Sequence, residues 1–214
     1  MATILRNLSY RFPWLYDGIS AIAAVSVGGT RRLRTLPLAQ LKLPPNSHGL
    51  DLCCGGGQVT AHLVKICDRV TALDCAQVAL ERATARVSNA EFVLGLAEEL
   101  PFADHTFDLV QTSLALHEMT AEQRQQTFRQ VWRVLKPGGI FTFIDFHPPQ
   151  NPLFWPPLIL FLWLFETEAA WGMLRQDFIK QLTNLEFQNP AQSLVAGGSL
   201  QVIRAQKPVG IAKK

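Results

Sequence analysis

The chain has 214 residues and a formal net charge of +3, with 48% hydrophobic and 17% charged residues. That is enough chain for one α/β domain with a full core, and too mild a charge for a nucleic-acid partner, which would call for a basic run with interleaved aromatics. The four cysteines, Cys53, Cys54, Cys67 and Cys75, have no C-x-x-C spacing, so reduced thiols packed on or beside buried strands are expected, as in a cytosolic protein, and no metal site.

Residues 1–45 read as a helical N-terminal region ending at Pro44-Pro45. Leu5, Leu8, Phe12, Leu15 and Ile19 share one helical face, suited to packing on a core or closing over a site. The segment does not read as a signal peptide, because Asp17 interrupts the apolar run and no cleavage-like site follows. Residues 46–150 alternate strand and helix, the pattern of a parallel sheet. Strands are expected near 48–53, 69–74, 91–95, 107–113 and 139–146, and helices near 57–67, 76–88 and 121–135. The helix from Ala121 carries Phe128, Val131, Trp132 and Leu135 on one stripe, so it packs on the sheet. Lys136-Pro137-Gly138-Gly139 makes a tight turn into the fifth strand.

An apolar helical insertion is expected over 151–183. Its opening, Asn151 to Phe165, is strongly apolar but shorter than the roughly 20 residues a membrane span takes, and Pro156 and Pro157 break its start. The helix 158–165 is apolar on every side until Glu166, which is hard to bury in a small domain. It is expected to form a lid, or a peripheral membrane contact through 152–165, over a lipophilic acceptor. Burial on the sheet or in a dimer interface is the alternative. The end of the chain, 184–195 and 199–206, reads as a hairpin around Gly197-Gly198 followed by a tail. The whole, 1–214, reads as one domain.

Chemistry is concentrated in Gly49 to Thr60, GLDLCCGGGQVT. A buried strand runs into a glycine turn and then a helix, an order that brings backbone N–H groups close to a ligand. Asp74 follows nineteen residues after Gly55, at the tip of the second strand, where an acid accepts hydrogen bonds from ribose hydroxyls; it also suits a cap for the helix beginning near Ala76. The dinucleotide pattern G-x-G-x-x-G fails at its third glycine, which is Thr60 here. Asp51, entering the loop, is awkward beside a pyrophosphate but suits a ligand with an amino group and a sulfonium. Electrostatics therefore favour S-adenosylmethionine over a nicotinamide dinucleotide.

LDLCCGGG resembles the first motif of class I S-adenosylmethionine-dependent methyltransferases, LDLGCGTG. The resemblance continues through VTALDCAQVALERA, AEELPFADHTFDLVQTSLALHEM and RQVWRVLKPGGIFTFIDF, covering about Gly49 to Phe146. Within that superfamily the chain is most similar to the branch of ubiquinone and menaquinone biosynthesis C-methyltransferases. The resemblance implies a doubly wound, Rossmann-like, seven-stranded and mostly parallel sheet with an antiparallel last strand and helices on both faces. It also implies a cytoplasmic enzyme, peripheral to the membrane if 152–165 docks there, acting on a small hydrophobic or quinone-like acceptor.

It implies roles too. Gly55 and Gly57 would let the backbone approach the methionine part, with Cys53 and Cys54 in the same loop and Asp51 orienting the amino group. Asp74 would hold the ribose, Cys75 would lie beside the adenine, Ala97 and Glu98 would line its edge, and Leu114 would face the cofactor from the fourth strand. Two positions depart from the family pattern. Cys53 replaces a glycine, so ordinary φ/ψ is expected there. Leu96 replaces an acid, which removes a hydrogen bond to the adenine amino group worth about 1 kcal/mol.

Methyl transfer needs alignment and exclusion of water, and a carbon or phenol acceptor also needs a base. Ligands lie beyond the carboxyl ends of the strands, where His117 sits; it ranks first, ahead of Asp17 and Tyr16 from the N-terminal region and His147 after the fifth strand. A structural or capping histidine is the alternative at His117. Two further readings of the chain stay open: a non-catalytic, membrane-associated S-adenosylmethionine-binding factor and a nicotinamide-dependent oxidoreductase.

Overall fold

Seven strands form a single sheet in the computed structural model, which describes residues 24–210. They are β1 (His48–Leu52), β2 (Arg69–Asp74), β3 (Glu91–Leu94), β4 (Phe107–Ser113), β5 (Leu135–Phe146), β6 (Gln188–Val195) and β7 (Leu200–Gln206). Their order is β3-β2-β1-β4-β5-β7-β6. β1 to β5 run parallel, and β7 lies antiparallel between β5 and β6. The expected fold class is the one the chain adopts. Central strands covered on both faces read as nearly continuous apolar runs, and β1 and β2 are buried along almost their whole length. The C-terminal pair closes as a hairpin through Ala196–Gly198.

The helices are α1 (Thr30–Thr35), α2 (Thr60–Leu63), α3 (Gln77–Arg86), α4 (Ala121–Val134), α5 (Trp155–Phe165), α6 (Glu168–Met173) and α7 (Phe178–Asn184). α2 is much shorter than the expected 57–67, because the glycine turn runs on to Val59 before regular helix begins. α4 starts at a capping box between Thr120 and Gln123 and buries Phe128 and Val131 completely. Phe128 stacks on Phe143 and meets Phe141 and Phe178 edge-on, forming the aromatic centre of the main core.

Two local expectations are corrected. Lys136–Gly139 does not precede the fifth strand but bulges within it: Phe107 pairs with Leu135 and Leu109 with Ile140. Gly138, at φ +80°, makes that detour. Pro156 and Pro157 do not break the apolar helix either; they occupy its first turn, where the missing N–H has no helical partner to lose. Helix α5 is seated by Phe154, whose ring lies so close to Gly197 that a Cβ there would sit 2.2 Å from it. Among the described residues no helix is long and apolar enough to cross a membrane.

Candidate active site

The carboxyl ends of β1, β2 and β4 meet around a cavity of about 480 Å³. Its walls include Asp51, Cys53, Cys54 and Gly55 from the first loop and Asp74 and Cys75 from the second. Ala97 and Glu98 follow from the third, and Leu114 from the end of β4. Nine of the ten cofactor residues expected from sequence therefore line one space. The tenth, Gly57, points elsewhere: a Cβ on it would lie 3.0 Å from the Ala83 Cα and Cβ. At φ +73°, Gly57 lets the loop pack on α3 rather than on a ligand, a correction to its expected role.

Asp51 is buried at 1% exposure. It accepts hydrogen bonds from Thr60 Oγ1, at 2.5 Å, and from Gln111 Nε2. Burial raises its pKa to about 6 against the lowering effect of these bonds, and the Asp74 charge adds to the rise. Thr60 stands where the dinucleotide motif has a glycine because its hydroxyl is needed by Asp51. Gln111 had a signal in the sequence as well, as a polar residue inside the apolar strand FDLVQTS.

Asp74 Oδ2 accepts the Gly55 N–H at 2.8 Å and its Oδ1 accepts that of Ala76 at 2.9 Å. The carboxylate thus braces the glycine loop and the turn that leads into α3, whose N-cap is Ala76 with no side-chain cap bond, so the expected capping role of Asp74 is corrected. The thiols of Cys53, Cys54 and Cys75 are pushed up first by burial and then by the negative charge of Asp74 or Asp51, so none is a thiolate nucleophile.

The expectation of ordinary dihedrals at Cys53 is corrected. Cys53 has φ +57°, and Leu114 at the end of β4 has φ +53°. A left-handed conformation costs a side-chain-bearing residue about 1–2 kcal/mol, and such strain gathers at functional sites. The turn is held because Cys54 N–H donates to Leu73 O at 3.0 Å and Leu114 N–H to Ile144 O at 2.9 Å.

The catalytic candidates fare differently. Tyr16 and Asp17 lie outside the described residues. His147 bonds through its ring to Gly198 O at 2.8 Å and does not line the cavity. Nor does His117, which is buried with both ring nitrogens facing carboxylates: Nδ1 is 2.7 Å from Asp145 Oδ1 and Nε2 is 3.5 Å from Glu166 Oε1. Burial opposes its charge, but Asp145 and Glu166 prevail and raise its pKa to about 10. An enclosed imidazolium has no lone pair with which to take a proton, so the ranking of His117 as first base is corrected. The turn that carries it instead presents Glu118 and Met119 to the cavity, two residues the sequence reading passed over.

The sheet order with its antiparallel seventh strand, and the acid-lined glycine loop, define the class: a class I methyltransferase, a family and fold that imply use of S-adenosylmethionine. A family profile described as a methyltransferase domain matches residues 50–143. The chain is 50% identical over 206 residues to an uncharacterized methyltransferase of Synechocystis sp., covering 96% of this chain and 97% of that one. It is 34% identical over 150 residues to the demethylmenaquinone methyltransferase of Lactiplantibacillus plantarum, covering 66% of this chain and 62% of that protein. Its fold matches a chain of the complex between the Haloferax volcanii Trm112 methyltransferase activator and a methyltransferase, with a TM-score of 0.66 and 18% identity over 91% of this chain and 98% of that one. The chain belongs to the S-adenosylmethionine-dependent methyltransferases. It is an enzyme, and the nicotinamide reading falls away.

Proposed function

We propose that the cavity binds S-adenosylmethionine and that the enzyme transfers its methyl group to a lipophilic, quinone-like acceptor. The observation that carries this is a polarity gradient along the sheet. On the β1 and β2 side the cavity is walled by Asp51 and Asp74; on the β4 and β5 side Leu114, Ile144 and Leu33 of α1, which belong to one apolar cluster, form the wall, with Arg34 and Glu118 beside them. A cationic, ribose-bearing cofactor suits the first side and an apolar ring system the second.

The residues fit the cofactor. Gly55 has open space where a Cβ would be, so the loop backbone is free to approach the methionine part. Asp51 answers the ammonium and Asp74 the ribose, while Ala97 and Glu98 flank the adenine. When bound, S-adenosylmethionine supplies a methyl carbon already activated by its sulfonium. The chain's part is to align the acceptor against that carbon and keep water out. For a carbon or phenol acceptor, proton removal falls to a carboxylate at the cavity, and Glu118 is the one presented by the His117 turn; the Asp17 carboxylate and the Tyr16 phenol, outside the described residues, are the alternatives that the sequence offers.

The relatives named as demethylmenaquinone methyltransferases support a quinone-like acceptor. The test is transfer of tritiated methyl from S-adenosylmethionine into lipid extracts and into demethylated quinones with and without a prenyl tail. Label in a prenylated quinone, and much less in its tail-less analogue, is the expected result. Label confined to water-soluble acceptors would refute the lipophilic reading.

A further inference from the structure

Helix α5 presents its apolar residues outward. Leu158 and Leu162 point in, packing on Ala170 with Phe146, Phe161 and Leu174. The remaining face should be polar on an ordinary surface helix. Instead Ile159 is 44% exposed, Leu160 56% and Trp163 65%, and Leu153 just before the helix is 80% exposed. No charged residue occurs from His147 to Phe165. Contiguous exposed apolar side chains of this kind mark a contact surface.

Its neighbour is basic. Helix α1 reads TRRLRT: Leu33 is buried, while Arg31 and Arg32 are exposed. Between Ala24 and Leu50 the chain has no Asp or Glu. The His62 pKa is lowered by burial and then by the charges of Lys65, Arg31 and Arg34, so these cations are gathered on one patch. Leu33 of α1 and Phe154, the residue before α5, pack into the same cluster with Ile144 and Leu200. Arg34 and Leu33 also line the cavity. Through Leu33 and that shared cluster, α1 links the acceptor side of the cavity to the entry of the apolar helix, which defines one rim of the molecule.

We propose that this rim docks on an anionic lipid bilayer, with Leu153, Ile159, Leu160 and Trp163 entering the headgroup–acyl boundary and Arg31, Arg32 and Lys65 facing lipid phosphates. The pairing of apolar insertion with basic side chains is what an anionic bilayer recognises, and exposed tryptophan suits the membrane interface. This rests on the lipophilic-acceptor reading and deepens it: the acceptor would reach the cavity from the membrane without crossing water.

The experiment is co-sedimentation of the purified full chain with phosphatidylglycerol-containing vesicles and with pure phosphatidylcholine vesicles, beside calorimetric titration with S-adenosylhomocysteine. The wild type should partition onto the anionic vesicles at least about tenfold more strongly, and high salt should remove most of the difference. Leu160→Asp with Trp163→Asp, and separately Arg31→Glu with Arg32→Glu, should each reduce partitioning about tenfold or more while S-adenosylhomocysteine affinity stays within about twofold. Wild type that binds S-adenosylhomocysteine but ignores anionic vesicles would overturn the docking and leave the methyltransferase reading intact. Variants that partition as wild type would also overturn it. A dimer in analytical ultracentrifugation, abolished by the Leu160 and Trp163 changes without any vesicle binding, would assign the face to a second copy. Loss of S-adenosylhomocysteine binding with vesicle binding retained would instead count against the cofactor reading.

Discussion

Nδ1 of His117 lies 2.7 Å from Oδ1 of Asp145, and through this contact the floor of the sheet grips the turn that walls the cavity. Asp145, wholly buried, also accepts the backbone N–H of Leu116 at 2.9 Å and of Phe146 at 2.8 Å. Arg124, 2% exposed, donates to the carbonyls of Leu116 and Met119 at 3.1 and 2.6 Å. Glu166, the residue that ends α5, completes the set from the other side of the imidazole. Two cations and two anions thus hold the turn between the cavity and the apolar helix.

Breaking a buried pair leaves a charge uncompensated and costs about 3–5 kcal/mol. His117→Ala is therefore expected to destabilise the fold by that amount, and His117→Gln by less, since the amide retains a donor. Urea denaturation measures both. A cost under about 1 kcal/mol for His117→Ala would mean that Asp145 is satisfied without the imidazole.

The same network sets a pH dependence. The folded-state pKa of His117, about 10, is above the unfolded value of about 6.5. The stability it contributes is fully present below about pH 6.5 and is lost as pH rises toward about 10, by at most about 1.4 kcal/mol per unit. Urea midpoints of the wild type should fall between neutral and alkaline pH, and those of His117→Gln should fall less. Parallel curves for the two proteins would exclude His117 as the titrating group.

Asp51 predicts a dependence at the other end of the scale and in another quantity. With its pKa at about 6 in the free protein, the carboxyl must ionise to meet an ammonium. Affinity for S-adenosylmethionine should weaken about tenfold from pH 7 to pH 5. Asp51→Asn should bind weakly and show little of that slope. Calorimetry across this range decides it, and a wild-type affinity that is flat in pH would separate Asp51 from the ligand's charge.

The sheet was legible because its strands are apolar runs of strand length separated by helix-length segments, and the loop acids because Asp51 and Asp74 stand at strand ends. What the sequence concealed depends on tertiary contact. Nothing in the spacing of His117 shows that Asp145 and Glu166 flank it, so a histidine beyond a strand end looked like a base. Cys53 looked conformationally ordinary because its residue type favours that; the hydrogen bond that follows it, Cys54 N–H to Leu73 O, decides otherwise. Gly57 shares a motif with Gly55 but faces Ala83, which only the packing of α3 reveals.

The strain at Cys53 is testable by comparing two truncations that remove the same thiol. In most settings glycine is less stable than alanine by about 0.5–1 kcal/mol. At φ +57° the order should reverse, with Cys53→Gly more stable than Cys53→Ala by about 1 kcal/mol. Thermal denaturation of the pair checks this, and an alanine variant that is the more stable would mean that the left-handed turn carries no strain.

Asp74 joins the fold to the chemistry, and its variants separate the two contributions. Its carboxylate already spends one bond on Gly55 and one on Ala76, leaving further lone pairs for the ribose hydroxyls. Asp74→Ala should therefore weaken S-adenosylhomocysteine binding by about 1.5–3 kcal/mol, the range for losing charge-assisted hydrogen bonds, and should also loosen the loop. Asp74→Asn keeps one acceptor oxygen and loses the charge, so it should fall between the two proteins in affinity. Calorimetry on all three measures the order, and hydrogen exchange at Gly55 reports the brace separately. Equal affinity in the alanine variant and the wild type, with exchange at Gly55 accelerated, would leave Asp74 as a loop brace that takes no part in holding the ligand.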